Sequence, residues 1–317
     1  MTRPGVHQIT LPIPFPLQQV HCYLVETGSG WLLVDAGFPS EEARHGLDEA
    51  IRRLVGGWDS VVGVIVSHFH PDHSGLAGWI QQQAEIPVYI HEKDFEQLQS
   101  MRGMMDEGRS PMDSGPFASL PRDSQPEWER MRETREPFAS FAIEPTLVQG
   151  GETFNIDGRE LELIWTPGHT EGHLCIYDRA DDLLFTGDHL LQRITPHIGL
   201  WSPGDTNPLI QFEESCRLVE KLNPGYALPA HEADVEQPAD RSMEIREHHQ
   251  TRRVEILDAV ASGANTGYKI SRVVFARRTE PMQQFMALSE TLAHLDALVV
   301  EDRLTRSEDE DPIYALV

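Results

Sequence analysis

The strongest constraint on this chain is a pattern that occurs four times: a short apolar run, a turn, and then a histidine or an aspartate. The densest instance lies at residues 61–73. Val61-Val62-Gly63-Val64-Ile65-Val66 runs straight into Ser67-His68-Phe69-His70-Pro71-Asp72-His73. An unbroken run of β-formers has no polar face to turn to water, so it reads as a strand buried on both sides. Such a strand needs a covering layer on each face, and the more helical Leu76-Ala77-Gly78-Trp79-Ile80 follows after Ser74-Gly75. Loops at the carboxyl ends of buried strands are where open α/β sheets carry their sites. In an extended segment residues i and i+2 share a side, so His68 and His70 can converge on one ion. Pro71 then bends the chain, and Asp72 and His73 can address a second point nearby. Four ligand-type side chains within six residues favour a metal over a merely polar loop.

The other three instances come later. Residues 161–164 lead into Trp165-Thr166-Pro167-Gly168-His169-Thr170. Leu183-Leu184-Phe185 leads into Thr186-Gly187-Asp188-His189, and Ala227-Leu228-Pro229-Ala230 ends in His231. Any one alone is weak. Four in this order, closing on one sheet edge, point to one site.

The order HxHxDH, PGHT, TGDH and a late PAH resembles the metallo-β-lactamase superfamily, nearest its glyoxalase II-like hydrolase branch. Leu32-Leu33-Val34-Asp35-Ala36-Gly37 resembles that superfamily's opening strand and turn. The resemblance spans residues 6–232. It implies an α/β fold of four layers, αββα, with a two-metal site between the sheets. It also implies that one metal takes His68, His70 and His169, and that the other takes Asp72, His73 and His231. Asp188 would bridge the two, and Asp35 would stand behind the ligands. Histidine and carboxylate donors suit zinc, so two zinc ions are expected, with iron or manganese as the other candidates. Two such ions would hold a hydroxide between them at neutral pH. The expected reaction is attack of that metal-bound hydroxide on an ester, thioester or lactone, with Asp72 helping to handle the proton. A metal-dependent phosphodiesterase or ribonuclease is one alternative. An iron-dependent sulfur dioxygenase is the other, although it typically uses a single iron on two histidines and one aspartate. A true β-lactamase is disfavoured, because such enzymes lack an equivalent of Asp188.

Charge narrows the partners. The chain has 51 acidic against 26 basic residues, a net charge of −25. A surface so acidic repels phosphate backbones, so nucleic acid is not an expected partner. No apolar stretch approaches the ~20 residues of a membrane span, and no signal-peptide core is visible. Cys22, Cys175 and Cys216 lie far apart without a CxxC, arguing against both disulfides and a thiolate zinc site. A cytoplasmic protein is the simplest expectation.

Elsewhere the chain follows a strand–helix rhythm. Two strands flank a turn at residues 27–30. Ser40-Glu41-Glu42 opens a helix whose Leu47, Ile51 and Leu54 form an apolar stripe. His91 and His173 read as surface, structural or supporting histidines. The polar stretch 192–201 must cross the metal face, which makes His197 a candidate to bind substrate or a developing oxyanion; a solvent-facing loop histidine is the alternative. Residues 98–141 break the rhythm with five prolines and scattered Met, Phe and Trp. They form a candidate lid insertion, of the adaptable apolar kind that would meet a small-molecule substrate with an apolar group. The rival reading is a cover that merely packs on the shell.

Two domains are expected: a catalytic one at 1–232 and a small, mainly helical one at 233–317. Residues 244–261, 269–276 and 282–304 suggest three helices, and 302–317 a terminal hairpin, together resembling a winged helix. Its third helix carries Glu290 and Asp296 but no Lys or Arg over 290–300, with Glu308-Asp309-Glu310-Asp311 where the wing would be. DNA binding is therefore not expected. The unit reads as a packing or dimerisation module bordering the site, and a homodimer is a form it would allow.

Overall fold

The computed structural model describes residues 5–108, 144–156, 158–200, 207–309 and 311–317. Its first sheet has the strands in sequence order: β1 (Val6–Pro12), β2 (Gln19–Thr27), β3 (Gly30–Val34), β4 (Val61–Ile65), β5 (Val88–His91) and β6 (Thr146–Val148). β1 to β3 pair antiparallel, so tight turns suffice between them. From β3 to β6 the pairing is parallel and needs crossovers. The first crossover is α1 (Glu41–Val55). Ser40 caps it by accepting a hydrogen bond from the Ala43 amide at 3.1 Å, and Leu47 and Ile51 are buried on the sheet. The short α2 (Pro71–Ser74) and α3 (Ala77–Ala84) form the second.

After β5 comes α4 (Glu92–Asp106). Residues 98–106 are thus helical rather than the start of an irregular insertion: Leu98 is buried in the first sheet's outer core, with Phe95 and Met101 packed beside it. The rest of the expected lid, 109–141, lies outside the described residues, as does Trp201 at the end of the 192–201 stretch.

The second sheet runs β11 (Tyr226–Pro229), β10 (Leu183–Gly187), β9 (Leu174–Asp178), β8 (Arg159–Trp165), β7 (Thr153–Ile156). Its pairs are antiparallel except β10–β11, which α5 (Pro208–Leu222) connects. Tyr23, Val25, Leu32 and Ile65 from the first sheet face Leu161, Leu163, Ile176 and Phe185 from the second. Each fully buried side chain of this size contributes about 1.5–3 kcal/mol. The Tyr23 hydroxyl also donates to the Pro229 carbonyl at 2.6 Å, tying one sheet to the end of the other. With α1 and α3 outside one sheet and α5 outside the other, the layers read αββα, as expected.

The C-terminal part is α6 (Pro238–Ala261), α7 (Gly267–Val274), α8 (Pro281–Val300) and the hairpin β12 (Leu304–Arg306) with β13 (Tyr314–Leu316). It has its own core of Ile256, Ile270, Phe285, Leu288, Leu295 and Tyr314. It is also built into the sandwich, since Ile245, Ala293 and Ala297 pack with Phe212 and Cys216 of α5. Val254 of α6, an apolar residue of the expected helix, is 55% exposed and takes no part in that packing. Among the described residues, no helix is long and apolar enough to cross a membrane. All three cysteines are buried and free.

Candidate metal centre

The loop after β4 divides its own ligands. His70 is still extended (φ −56°, ψ 148°); Pro71 then sits at the first position of α2, where its fixed φ starts a helical turn. That turn lets Asp72 and His73 face a second, adjoining point, with the His73 ring centroid still only 3.9 Å from that of His68. Each later loop adds one ligand: His169 after β8, Asp188 after β10, His231 after β11.

The seven side chains form two adjoining groups. In the first, the His70 Nδ1 lies 3.0 Å from both His68 Nε2 and His169 Nε2. In the second, Asp72, His73 and His231 converge, with His231 Nε2 3.4 Å from Asp72 Oδ2. Asp188 stands between them. Its Oδ2 is 3.5 Å from His169 Nε2, while its Oδ1 is 3.5 Å from His73 Nε2 and 3.4 Å from His231 Nε2. His73 Nε2, His231 Nε2 and Asp188 Oδ1 are buried with no hydrogen-bond partner among the described residues. Buried polar atoms are rarely left so, and three aimed at one point fit a bound cation that would satisfy them all. The side chains of Asp72 and Asp188 are each 13% exposed, so solvent reaches the centre along this edge.

Two glycines make the approach feasible. Gly187 has φ +48°, and a Cβ there would sit 2.8 Å from the Ser67 hydroxyl and 2.9 Å from His173 Nε2. Gly168 has φ +138°, and its Cβ would meet that of Phe212 at 2.3 Å. Each lets a ligand loop press against a neighbouring element, in a conformation that L-residues rarely adopt.

Behind the ligands, four of the five histidines are oriented through their other nitrogen. Asp35 Oδ2 lies 2.8 Å from His73 Nδ1, and the same carboxylate accepts from the Ser67 amide and hydroxyl. Ser67 Oγ is also 3.0 Å from His68 Nδ1. The Gln19 carbonyl holds His231 Nδ1 at 2.7 Å, and the His197 carbonyl holds His169 Nδ1 at 2.8 Å. His197 therefore takes part through its backbone, while its ring turns to Ser289 in α8. His173 is structural: its Nε2 accepts the Asp188 amide at 3.2 Å. His91 is buried, bonded to the Gln149 carbonyl and stacked on Trp165, so it is not a surface residue.

Asp94 was not foreseen from the sequence. It is fully buried, accepting from the Phe69 amide and the Thr170 hydroxyl at 2.9 Å and from the Gly172 amide at 2.6 Å. It thereby ties the loop carrying His68 and His70 to the one carrying His169. Burial pushes its carboxyl up to about 7, against the pull of these three donors. Its only local signal is an acid in the first turn of α4, which helices favour for their dipole alone.

Electrostatics separate the two groups. Burial, together with mutual repulsion among the histidines, lowers His68 well below its usual value and His70 to about 3. Burial also lowers His169. These are neutral imidazoles, the form that binds metal. In the second group burial opposes the His73 imidazolium, but Asp72, Asp188 and Asp35 outweigh it and push His73 up to about 10. A group raised in this way stabilises the metal-free fold fully below its unfolded value of about 6.5, a contribution lost as pH rises through about 10. An ion entering this group must displace that proton. Uptake at pH 7–8 should therefore release about one proton, and affinity should rise by up to tenfold per pH unit across that window. Calorimetry in two buffers of different ionisation enthalpy measures this, and an affinity flat from pH 7 to 9 would rule out a protonated His73.

A small cleft opens beside His70 and His169, walled by Phe69, Gln97, Gly168, Glu171, Pro208 and Gln211.

Comparison with known proteins agrees with this geometry. Residues 16–231 match the family model described as the metallo-beta-lactamase superfamily, and 254–316 match that of the metallo-beta-lactamase-like C-terminal domain. The chain is 26% identical to the probable metallo-hydrolase YqjP of Bacillus subtilis, over 99% of this chain and 98% of that protein. It is 30% identical to the acyl-coenzyme A thioesterase MBLAC2 of Bos taurus, over 51% of this chain and 54% of that protein. Among solved structures, the metallo-beta-lactamase family protein TTHA1429 of Thermus thermophilus superposes with a TM-score of 0.80 at 27% identity, covering 99% of both chains.

Proposed function

This chain belongs to the metallo-β-lactamase superfamily and is a metal-dependent hydrolase, and from that premise we propose that it hydrolyses acyl thioesters at a two-zinc centre. The observation that carries the two-ion reading is Asp188, whose two oxygens face the two ligand groups separately. His68, His70 and His169 would hold one ion, and Asp72, His73 and His231 the other. Ions held there would lower the pKa of a shared water toward neutrality and polarise a carbonyl oxygen. The protein's own part is to keep three imidazoles neutral, to orient His68 and His169 through their second nitrogens, and to present carboxylates at the solvent edge. Asp72, whose largely buried side chain reaches the solvent edge 3.4 Å from His231 Nε2, can take a proton there from the attacking water. The choice of thioester over ester or lactone is supported by the likeness to the bovine thioesterase.

The test is elemental analysis of protein purified without added metal, followed by a panel of thioesters, esters, lactones and phosphodiesters. Two zinc equivalents and a preference for thioesters are expected. If the acyl group is bound by apolar surface, each CH₂ is worth about 0.8 kcal/mol, so three more carbons should raise kcat/KM by roughly one to two orders of magnitude. One tightly held iron with no zinc would favour a sulfur dioxygenase, and turnover confined to phosphodiesters would favour the nuclease alternative.

A further inference from the structure

The acceptors behind His73, His68 and His231 all come from the sandwich itself: Asp35, Ser67 and the Gln19 carbonyl. The acceptor behind His169 does not. It is the carbonyl of His197, in a stretch that has neither strand nor helix to hold it. That stretch is stapled to α8 at one residue, twice. The His197 Nε2 lies 2.9 Å from the Ser289 hydroxyl, and the Leu200 amide donates to the Ser289 carbonyl at 3.0 Å. Ser289 is fully buried, and its hydroxyl donates its single proton to the Met286 carbonyl at 3.0 Å. Its oxygen can therefore only accept from His197, which makes His197 the Nε2–H tautomer. Leu200 in turn packs between the core of the second sheet's outer layer and that of the C-terminal part.

We infer that Ser289 is a positioning residue for the metal ligand His169, acting through His197, so that the C-terminal part of the chain sets the strength of the three-histidine site. A neutral imidazole that ligates through Nε2 must donate its Nδ1–H, and the direction of that acceptor fixes the ring. The bond from the His197 ring to Ser289 helps to hold the carbonyl of the same residue in its direction. Loss of the bond should loosen that carbonyl and let the His169 ring tilt, without touching Asp72, His73 or His231. The inference rests on the two-ion reading of the centre.

The experiment is stepwise zinc removal by a chromophoric chelator, with the visible spectrum of the cobalt(II)-loaded protein as a second readout. The proteins are wild type, Ser289→Ala, His197→Ala, the double variant, and Ser242→Ala. Ser242 is a buried hydroxyl of α6 without a hydrogen-bond partner among the described residues, and its loss should leave both steps unchanged. Loss of an outer partner typically costs 10–100-fold in metal affinity. Ser289→Ala is expected to weaken one step by about that factor, leave the other within about twofold, and alter the cobalt spectrum. His197→Ala should do the same, and the double variant should lose no more than either alone, because one bond is broken in all three. Equal weakening of both steps together with a lowered Tm of the metal-free protein would mean general damage and overturn the inference. So would additive losses, or a Ser289→Ala protein indistinguishable from wild type. A wild type that takes up one ion ends the two-ion reading, and Ser289 is then judged on that ion; one that takes up none overturns both.

Discussion

Asp188→Ala is expected to fold normally, to lose the paired arrangement of its ions, and to lose nearly all hydrolytic activity. Asp188 sits in the loop after β10 rather than in either core, so its removal opens no cavity among packed apolar side chains. Its contribution is to the centre. One oxygen faces His169 and the other faces His73 and His231, at 3.4–3.5 Å. An alanine leaves each group three protein ligands and nothing joining them. Placing the ions to share a water and to stabilise charge supplies several kcal/mol, and each 1.36 kcal/mol is tenfold, so a loss of roughly 10²–10⁴ in kcat follows. Metal content, circular dichroism and turnover on the same preparation make the test. Two retained equivalents with near-normal turnover would show that Asp188 does not bridge.

Arg253→Ala is expected to be the most destabilising single change outside the centre, at about 3–5 kcal/mol. Arg253 of α6 is 2% exposed and forms a two-pronged pair with Glu213 of α5, itself 5% exposed. The guanidinium also reaches Glu301, beyond α8, at 3.1 Å. Truncating the arginine leaves the Glu213 carboxylate buried without a counter-charge, and that unpaired charge dominates the cost. The pair itself need not be stabilising relative to apolar residues of the same volume. The double change Arg253→Met with Glu213→Leu should therefore recover most of the loss, which urea midpoints of the three proteins would read. A single variant within about 1 kcal/mol of wild type would mean that water reaches Glu213 freely. Activity should fall with stability, because Phe212 of the same helix backs Gly168 in the His169 loop.

Much of this molecule was legible in its residue types. Few side chains bind metals, so His68, His70, Asp72, His73, His169, Asp188 and His231 announce themselves wherever they follow buried strands, and the structure brings all seven together. Ser40 and its acidic first turn mark α1, and the C-terminal run of helices and hairpin follows from composition and periodicity. Residues 98–106 were harder. Phe95, Leu98 and Met101 form a helical stripe, but methionine beside a proline-rich stretch reads equally well as adaptable surface, and the stripe settles only when a sheet is there to cover.

What holds the ligands in place had no such signature. The acceptors for His231 and His169 are the carbonyls of Gln19 and His197, and every residue carries a carbonyl. Gln19 is 212 positions from the histidine it orients, a pairing that no local pattern encodes. Asp94 and Arg253 are charged residues on helices, and in sequence they resemble a dipole-complementing acid and a solvated base. Their burial depends on what packs above them. Ligand chemistry is a property of a side chain and survives in a list of residues; orientation and burial are properties of the packed assembly, and they exist only once the two sheets and the C-terminal helices have closed around one another.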